Sequence, residues 1–414
     1  MNNNKRIILV HPGRQHSYHL AEALEESGVL YKYITTVYNG KYSLTRFLGL
    51  FLGGDVKYRL ERRKNEIFDN KVYQTYEFLG LIVLFLRSFT KRLGSKIDSY
   101  VHNLVYEKAI NIAIKNKVDG IIFYGGVKKK HIIKLKKYNP NIKIIIDVPI
   151  VSSKYLRKIV ENDINITGDT TIRTEQPQLW NNDYEENYKY ICEKADAFLV
   201  GSSIVKNSLI EYGTENNKIY IIPYGVDINK FTIKEYKNNK IVRFIFAGTV
   251  YRRKGIHHLL PTFERLPRDK ENLTLVGSYS DEDPLIKKYK FNPNIIFKGM
   301  VTQDKLIELY KESDVFVIPS LGEGLAQVGL EAMNCGLPII CSDASGVNDI
   351  VTNGENGFIV PVSNQNALYE AMLWLVNNPK SIQVLGMKAH ETARQYSWDF
   401  YKKNINITIS KIFK

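Results

Sequence analysis

The stretch PSLGEGLAQVGLEAM, Pro319 to Met333, decides the fold. It continues a short apolar run, Val315–Pro319, that reads as a buried strand ending at Ser320. A Gly-flanked turn then carries Glu323. A helix is predicted from about Ala326 to Asn334, stopped by Cys335-Gly336-Leu337-Pro338, where glycine and proline are the usual end signals. A continuous apolar strand, a tight turn and a helix make up the repeating unit of a parallel sheet covered on both faces.

The same rhythm extends outward in both directions. Downstream of residue 240, strands are predicted at Val242–Ala247, Leu273–Val276, Ile295–Phe297, Val315–Pro319 and Pro338–Cys341. Upstream they are predicted at Arg6–His11, Gly120–Tyr124, Ile142–Ile146, Ala197–Val200 and Lys218–Pro223. Helical patterns of roughly 12–20 residues separate them. A polar stretch, Tyr224–Asn239, lies between the two series and reads as an interdomain linker. At 414 residues the chain is too long for one core. The expected architecture is α/β, with two Rossmann-like domains facing a cleft. Open parallel sheets bind ligands beyond the carboxyl ends of their strands, so function should concentrate on the loops that follow strands.

Glu323 and Glu331 are eight residues apart, one in the turn and one about two turns into the helix, so both can reach a single ligand. Free N–H groups and the helix dipole make this helix start a natural seat for a phosphate. Arg252-Arg253-Lys254 follow the Val242–Ala247 strand and Gly248, the right place for cations that meet an anion. Gly13, in the loop Pro12–His16 after the first strand, allows close backbone approach. His16 and Asp147, the latter ending the Ile142–Ile146 strand, can each hydrogen-bond a sugar or serve as structure.

These segments resemble the retaining GT-B glycosyltransferases of family 4, whose signature is Pro-Ser, then Glu-Gly, and a second Glu in Leu-Glu-Ala-Met, with seven residues between the two glutamates. KADAFLVGS (194–202), IIPYGVD (221–227) with Phe231, FAGTVYRRKGIHHLL (246–260), GENGFIVP (354–361) and Tyr396-Ser397-Trp398 fit as well. The resemblance is strong over 194–398 and weak over the first 190 residues. It implies a GT-B fold: residues 1–222 as an acceptor-binding domain, 223–398 as a nucleotide-sugar domain, and 399–414 as a helix returning to the first. It implies transfer of a sugar from a nucleotide-diphosphate sugar, with retained anomeric configuration, to a glycan or lipid-linked acceptor. Glu331 would hold the ribose hydroxyls and Glu323 the donor sugar. The N–H groups of Gly324, Leu325 and Ala326, with Gly13 and Thr249, would line the donor site. Arg253 and Lys254 would neutralise the diphosphate, and no metal or other cofactor is expected. His16 and Asp147 stand on the acceptor side. The sequence also departs from the family pattern. Thr249 stands where Arg is common, Leu325-Ala326 replaces Phe-Gly, and Asp349 replaces the longer acid of a later Gly-Gly-x-x-Glu. Tyr124-Gly125-Gly126 carries no His where many members have one.

Charge adds a further clue. The chain has 58 Lys/Arg against 43 Asp/Glu, a net +15, and residues 1–150 hold 26 and 12 of these, a net +14. That excess lies in the acceptor half, away from Arg253 and Lys254. It clusters beside two apolar runs, Phe47–Leu52 and Phe78–Leu86, which are too short to span a bilayer, a task needing about 20 apolar residues. The second run reads either as a core element or as a half-buried helix on a membrane, with Arg87, Lys91, Arg92 and Lys96 toward lipid phosphates. An anionic membrane surface is therefore an expected partner and nucleic acid is not, since no nucleic-acid module appears. The alternative is a basic nucleic-acid- or membrane-binding protein on a catalytically inactive GT-B fold. The start has no signal-peptide h-region, and the three cysteines have no paired spacing. A cytoplasmic protein, peripheral on the inner face of the plasma membrane, is expected. Asp281-Glu282-Asp283 reads as a helix start rather than a metal motif. His257-His258 reads as helix surface, since adjacent helix positions do not face one way.

Overall fold

A computed structural model describes residues 5–51, 53–89, 91–236, 241–267 and 271–414; the side chains of 54, 55, 58, 59, 87–89, 91–96 and 182 lie outside that description. Arg87, Lys91, Arg92 and Lys96, named above as lipid-facing, fall among these.

The described strands form two wholly parallel sheets. The first contains β1 (Ile7–Val10), β2 (Leu30–Thr35), β3 (Val72–Gln74), β4 (Gly120–Tyr124), β5 (Lys143–Val148), β6 (Ala197–Val200) and β7 (Ile219–Ile221), in the order β3-β2-β1-β4-β5-β6-β7. The second contains β8 (Val242–Ala247), β9 (Glu271–Val276), β10 (Ile295–Gly299), β11 (Val315–Ile318), β12 (Ile339–Ser342) and β13 (Gly357–Val360), in the order β10-β9-β8-β11-β12-β13. Every residue of β1, β4, β6, β11 and β12 is buried. That is why these strands read as unbroken apolar runs: helices cover both faces of each sheet. Chain order reverses between β1 and β4 in the first sheet and between β8 and β11 in the second. Such switch points are where doubly wound sheets open a crevice. The loops leaving β1, β8 and β11 carry Gly13 and His16, then Thr249, Arg253 and Lys254, then Glu323.

The stretch predicted as a linker is not loose. Tyr224, Val226 and Phe231 are buried. Lys234 is buried against Asp314, with Nζ 3.1 Å from Oδ1. Segment 224–236 is thus an arm of the second domain, and its polar composition hides the anchors that hold it. Residues 237–239 lie outside the described residues. The chain recrosses beside it: the Val226 N–H donates to the Tyr396 carbonyl at 2.9 Å. The last helix, Trp398–Ile412, then lies along helix Ser17–Glu26 of the first domain. There Trp398 stacks on the His19 ring, centroids 3.7 Å apart, and Lys402 pairs with Glu26 at 2.7 Å.

No helix among the described residues is long and apolar enough to cross a membrane. All three cysteines are buried, and burial pushes each thiol up to about 12, which keeps them protonated and unreactive. Asp283 caps helix Pro284–Tyr289 by accepting from the Leu285 N–H at 2.9 Å, while Asp281 and Glu282 pair with Lys290 and Lys287.

Candidate active site

Three of the named side chains meet at one carboxylate. Glu323 Oε1 lies 2.9 Å from Arg253 Nη1 and 2.8 Å from Lys254 Nζ. Arg253 also donates to the Gly322 carbonyl at 2.6 Å and to the Tyr251 hydroxyl at 2.6 Å, so the guanidinium is held on several sides. All three groups are nearly sequestered from solvent, with side chains 11–14% exposed. Burial alone would raise the Glu323 pKa, but Lys254 and Arg253 outweigh it and hold the carboxyl below its ordinary range. Burial likewise disfavours the Arg253 charge, and Glu323 restores it. Two fixed cations thus converge on one anion in a low-dielectric site, where a second anion would be bound strongly.

Backbone geometry makes this convergence possible. Gly255, at φ +75°, presses against the strand-β11 exit: a Cβ there would sit 1.9 Å from the Pro319 carbonyl oxygen. Gly324 makes an equally close approach across the domains. A Cβ on it would sit 1.9 Å from the Pro149 carbonyl oxygen, just beyond β5, and its own carbonyl accepts from Ser202 Oγ. Gly324→Ala is therefore expected to push the Glu323 turn off the first domain. We expect at least a tenfold loss of turnover and a lower melting temperature, checked by steady-state kinetics and thermal denaturation. Unchanged values in both would show that the seam tolerates a side chain.

The second group lines a cavity of about 660 Å³ between the domains. Glu331, Gln327 and Lys230 contribute from the second domain, and Arg14, His16 and His19 from the first. Burial pushes the Glu331 carboxyl up to about 7, with Lys230 opposing it. A raised carboxyl pKa means the folded state holds a proton that the unfolded chain has lost. Stability is therefore highest below about pH 4.5 and is given up as pH rises through about 7. Glu331→Gln is expected to stabilise the ligand-free protein at pH 8 by about 1–3 kcal/mol, with little change at pH 5, read as thermal melting at the two pH values.

His16 and Asp147 are brought together. His16 Nε2 lies 3.1 Å from Asp147 Oδ2, and both are buried. The His16 ring packs on Tyr224 at 4.1 Å and Tyr124 at 5.1 Å. So although Tyr124-Gly125-Gly126 has no histidine, an imidazole reaches that place from the loop after β1.

Some expected roles are already taken by protein contacts. The Gly13 N–H is spent on His11 Nδ1 at 2.8 Å, and the Ala326 N–H on the Ser345 carbonyl at 3.2 Å. Of the three amides expected to meet the donor, those of Gly324 and Leu325 have no such bond among the described residues. Thr249 is exposed in the loop after β8, its carbonyl accepting from the Tyr251 N–H. Asp349 accepts from the Ser203 N–H and Oγ at 2.5 Å each, tying the domains together. Arg252 ties them too, through Asp169 at 3.0 Å and Glu175 at 3.3 Å of the first domain, and is held in place by Asp283 of its own domain. His257 and His258, read from sequence as helix surface, are both buried and both bond Asp163 of the first domain. They start their helix, and the two oxygens of one carboxylate take one ring each, so neighbouring positions converge after all. Sequence reasoning also missed the hydroxyls of Tyr124, Tyr224 and Tyr401. They are buried without a hydrogen-bond partner, and each is pushed well above its usual pKa, first by burial and then by the nearby Asp147 charge. Only their burial beside a charge marks them; three tyrosines spread over 278 positions give no local signal.

Residues 227–392 match the family of glycosyl transferases group 1. An uncharacterized glycosyltransferase of Methanocaldococcus jannaschii is 30% identical over 240 residues, covering 55% of this chain and 60% of its own length. The capsular polysaccharide biosynthesis glycosyltransferase CapM of Staphylococcus aureus is 27% identical, covering 48% and 58%. The chain thus spans under two thirds of these relatives. Two solved structures share the whole fold. Sucrose-phosphate synthase of Thermosynechococcus elongatus superposes with a TM-score of 0.68 at 18% identity, covering 99% of both chains. Anabaena HepE in complex with UDP-glucose superposes with a TM-score of 0.61 at 15% identity, covering 98% of this chain and 99% of the other. The fold is GT-B.

Proposed function

Because residues 227–392 are a glycosyl transferases group 1 domain within a GT-B fold, we propose that the protein is a retaining glycosyltransferase. It moves a sugar from a nucleotide-diphosphate sugar to a glycan or lipid-linked acceptor in the synthesis of a surface polysaccharide or glycolipid. The observation that carries this is the Arg253–Lys254–Glu323 cluster. When a glycosidic bond to a diphosphate breaks, negative charge grows on the leaving phosphate. Cations already fixed in place stabilise that state more than the ground state, without the cost of reorganising. The donor diphosphate docks against Lys254 and Arg253 where they already stand, so their charge is shared between it and Glu323. Glu323 then accepts hydrogen bonds from sugar hydroxyls beside the reacting carbon. With two fixed cations serving the leaving group, transfer runs without a metal ion. Retention follows if the acceptor hydroxyl attacks from the leaving-group face and gives its proton to the departing phosphate oxygen. The His16–Asp147 pair then orients the acceptor.

Glu331 accepts from the ribose hydroxyls as a carboxylate. Donor affinity is therefore expected to fall about tenfold per pH unit below about 7, and Glu331→Gln to bind weakly at every pH. Titration calorimetry with UDP-glucose, the ligand of one structural neighbour, checks this if the uridine donor is accepted. The direct test of the function is a panel of nucleotide-sugars scored for thermal stabilisation and released nucleoside diphosphate. A saturating donor at about 100 times its Kd adds about 2.7 kcal/mol. If no donor stabilises the protein or is turned over, the reading fails.

For the acceptor side we propose docking on an anionic membrane from the inner face. The supporting observation is an apolar surface on helices Leu44–Phe51 and Glu77–Phe89. These pack together, and Phe47, Leu50, Phe51, Phe78 and Phe85 are each more than half exposed on them. Large exposed apolar side chains gathered on two packed helices mark an interaction site.

A further inference from the structure

The seam between the domains holds a polar cluster for which sugar transfer has no use. Asp163 comes from helix Ser153–Thr167 of the first domain, and His257 and His258 from the start of helix Ile256–Glu264 of the second. Their exposures are 1%, 6% and 2%. His257 Nε2 lies 2.7 Å from Asp163 Oδ2, and His258 Nε2 lies 2.6 Å from Oδ1. One ligand atom from each residue lies within 4.8 Å of the other two. Ser363 Oγ donates to the same carboxylate at 2.6 Å. His257 Nδ1 is buried with no partner. A cavity of about 770 Å³, lined in part by His257, Ser363, Gln365 and Asp169, leads to the cluster.

We propose that Asp163, His257 and His258 form a binding site for a divalent transition-metal ion of the zinc class, which staples the two domains together. Two imidazoles and one carboxylate are a donor set that suits such an ion, and three protein ligands leave a fourth position for water. Ser363 and the cavity stand on that open side. The change needed is small. Zinc sits about 2.0–2.2 Å from nitrogen and oxygen ligands, which sets tetrahedral ligand atoms about 3.3 Å apart. The contacts of 2.6 and 2.7 Å therefore open by about 0.6–0.7 Å to admit the ion. Ligation through Nε2 requires each ring to carry its proton on Nδ1. At His258 that nitrogen lies 3.2 Å from Gln365 Nε2, and a half-turn of the amide brings its oxygen there instead. With the amide turned so that its oxygen accepts, Gln365 fixes this tautomer and frees the Nε2 lone pair, the usual outer support of a metal-bound histidine. Because the ligands come from both domains, the ion binds only where the two domains meet in this arrangement. The site is independent of the sugar-transfer reading.

The test uses the full tag-free chain, stripped with a chelator and titrated with zinc and with cobalt. We expect one equivalent to bind with Kd below about 1 µM, far tighter than adventitious surface histidines. The cobalt form should show the visible absorption of a four-coordinate ion, and zinc should raise the melting temperature. His257→Gln/His258→Gln should lose the absorption and the thermal shift, and Asp163→Asn should weaken binding at least a hundredfold. Gln365→Ala, a mild change if the others do not fold, should weaken it about 10–100-fold. Absence of the absorption in the wild type, or its persistence in the double-histidine variant, would overturn the proposal and leave a hydrogen-bonded clamp.

Discussion

Lys254→Ala is expected to lower kcat by about 100- to 1,000-fold, the typical cost of about 2.7–4 kcal/mol for losing one fixed group that stabilises developing charge. The variant should still fold, because Glu323 keeps its 2.9 Å partner Arg253 and is not left as an unpaired buried charge. Donor KM should rise less than kcat falls, since the phosphate charge that Lys254 meets grows mainly as the bond breaks. Arg253→Ala should cost at least as much, because Arg253 also holds the Gly322 carbonyl of the Glu323 turn. Glu323→Ala leaves both cations without their protein partner, so it should lower the melting temperature as well as turnover. Released nucleoside diphosphate, measured for all three with a competent donor, decides the matter. Wild-type rates for Lys254→Ala and Glu323→Ala together would show that the site lies elsewhere.

Leu50→Asp/Phe51→Asp is expected to reduce binding to anionic vesicles about 100-fold or more. These two side chains are 74% and 73% exposed, so the water-soluble form pays little for the change. Moving each from water into the lipid interface is worth about 1.5 kcal/mol or more, and two carboxylates beside anionic lipid add repulsion of about 1 kcal/mol per charge. Helix Leu44–Phe51 is firmly mounted. Glu77 accepts from the Leu44 and Thr45 N–H groups at 3.1 and 2.6 Å, capping it with the first residue of helix Glu77–Phe89. The two helices are therefore braced as one body, and the proposed docking would present them to a bilayer together. Lys41, Arg46, Lys57 and Lys64 are exposed around the same segment and supply attraction that salt screens. Sedimentation with phosphatidylserine vesicles at low and high salt, with a neutral-lipid control, reads the effect. Absence of wild-type binding at low salt would reduce the basic half to a solubilising surface.

The sheets were legible because fully buried parallel strands cannot alternate polar and apolar residues: IILV at β1 and VFVI at β11 announce themselves. The Glu323 turn was legible for a similar local reason, a strand, two glycines and a helix in sequence. What stayed hidden depends on residues far apart. Nothing near His257-His258 points to Asp163, some 95 positions earlier, and nothing near Arg252 points to Asp169 and Glu175. A row of basic residues looks uniform, yet Arg252 is a domain tie while Arg253 and Lys254 hold Glu323. The arm 224–236 misled through composition: Asp227, Asn229, Thr232 and Glu235 face water, while Phe231 and the polar Lys234 are anchored inward. Nor does the sequence show which backbone groups are spent within the protein, as the Gly13 and Ala326 amides are.

The helix Trp398–Ile412 has a consequence for the order in which the protein is made. It buries its inner face on Ser17–Glu26, so the first domain lacks this cover until residues 398–412 leave the ribosome. The second domain, contiguous in sequence, can finish folding earlier. During that interval the side of Ser17–Glu26 that meets Trp398–Ile412 stays uncovered. A nascent chain stalled after Ala393 should therefore give a protease-resistant second domain and a first domain that is still cut.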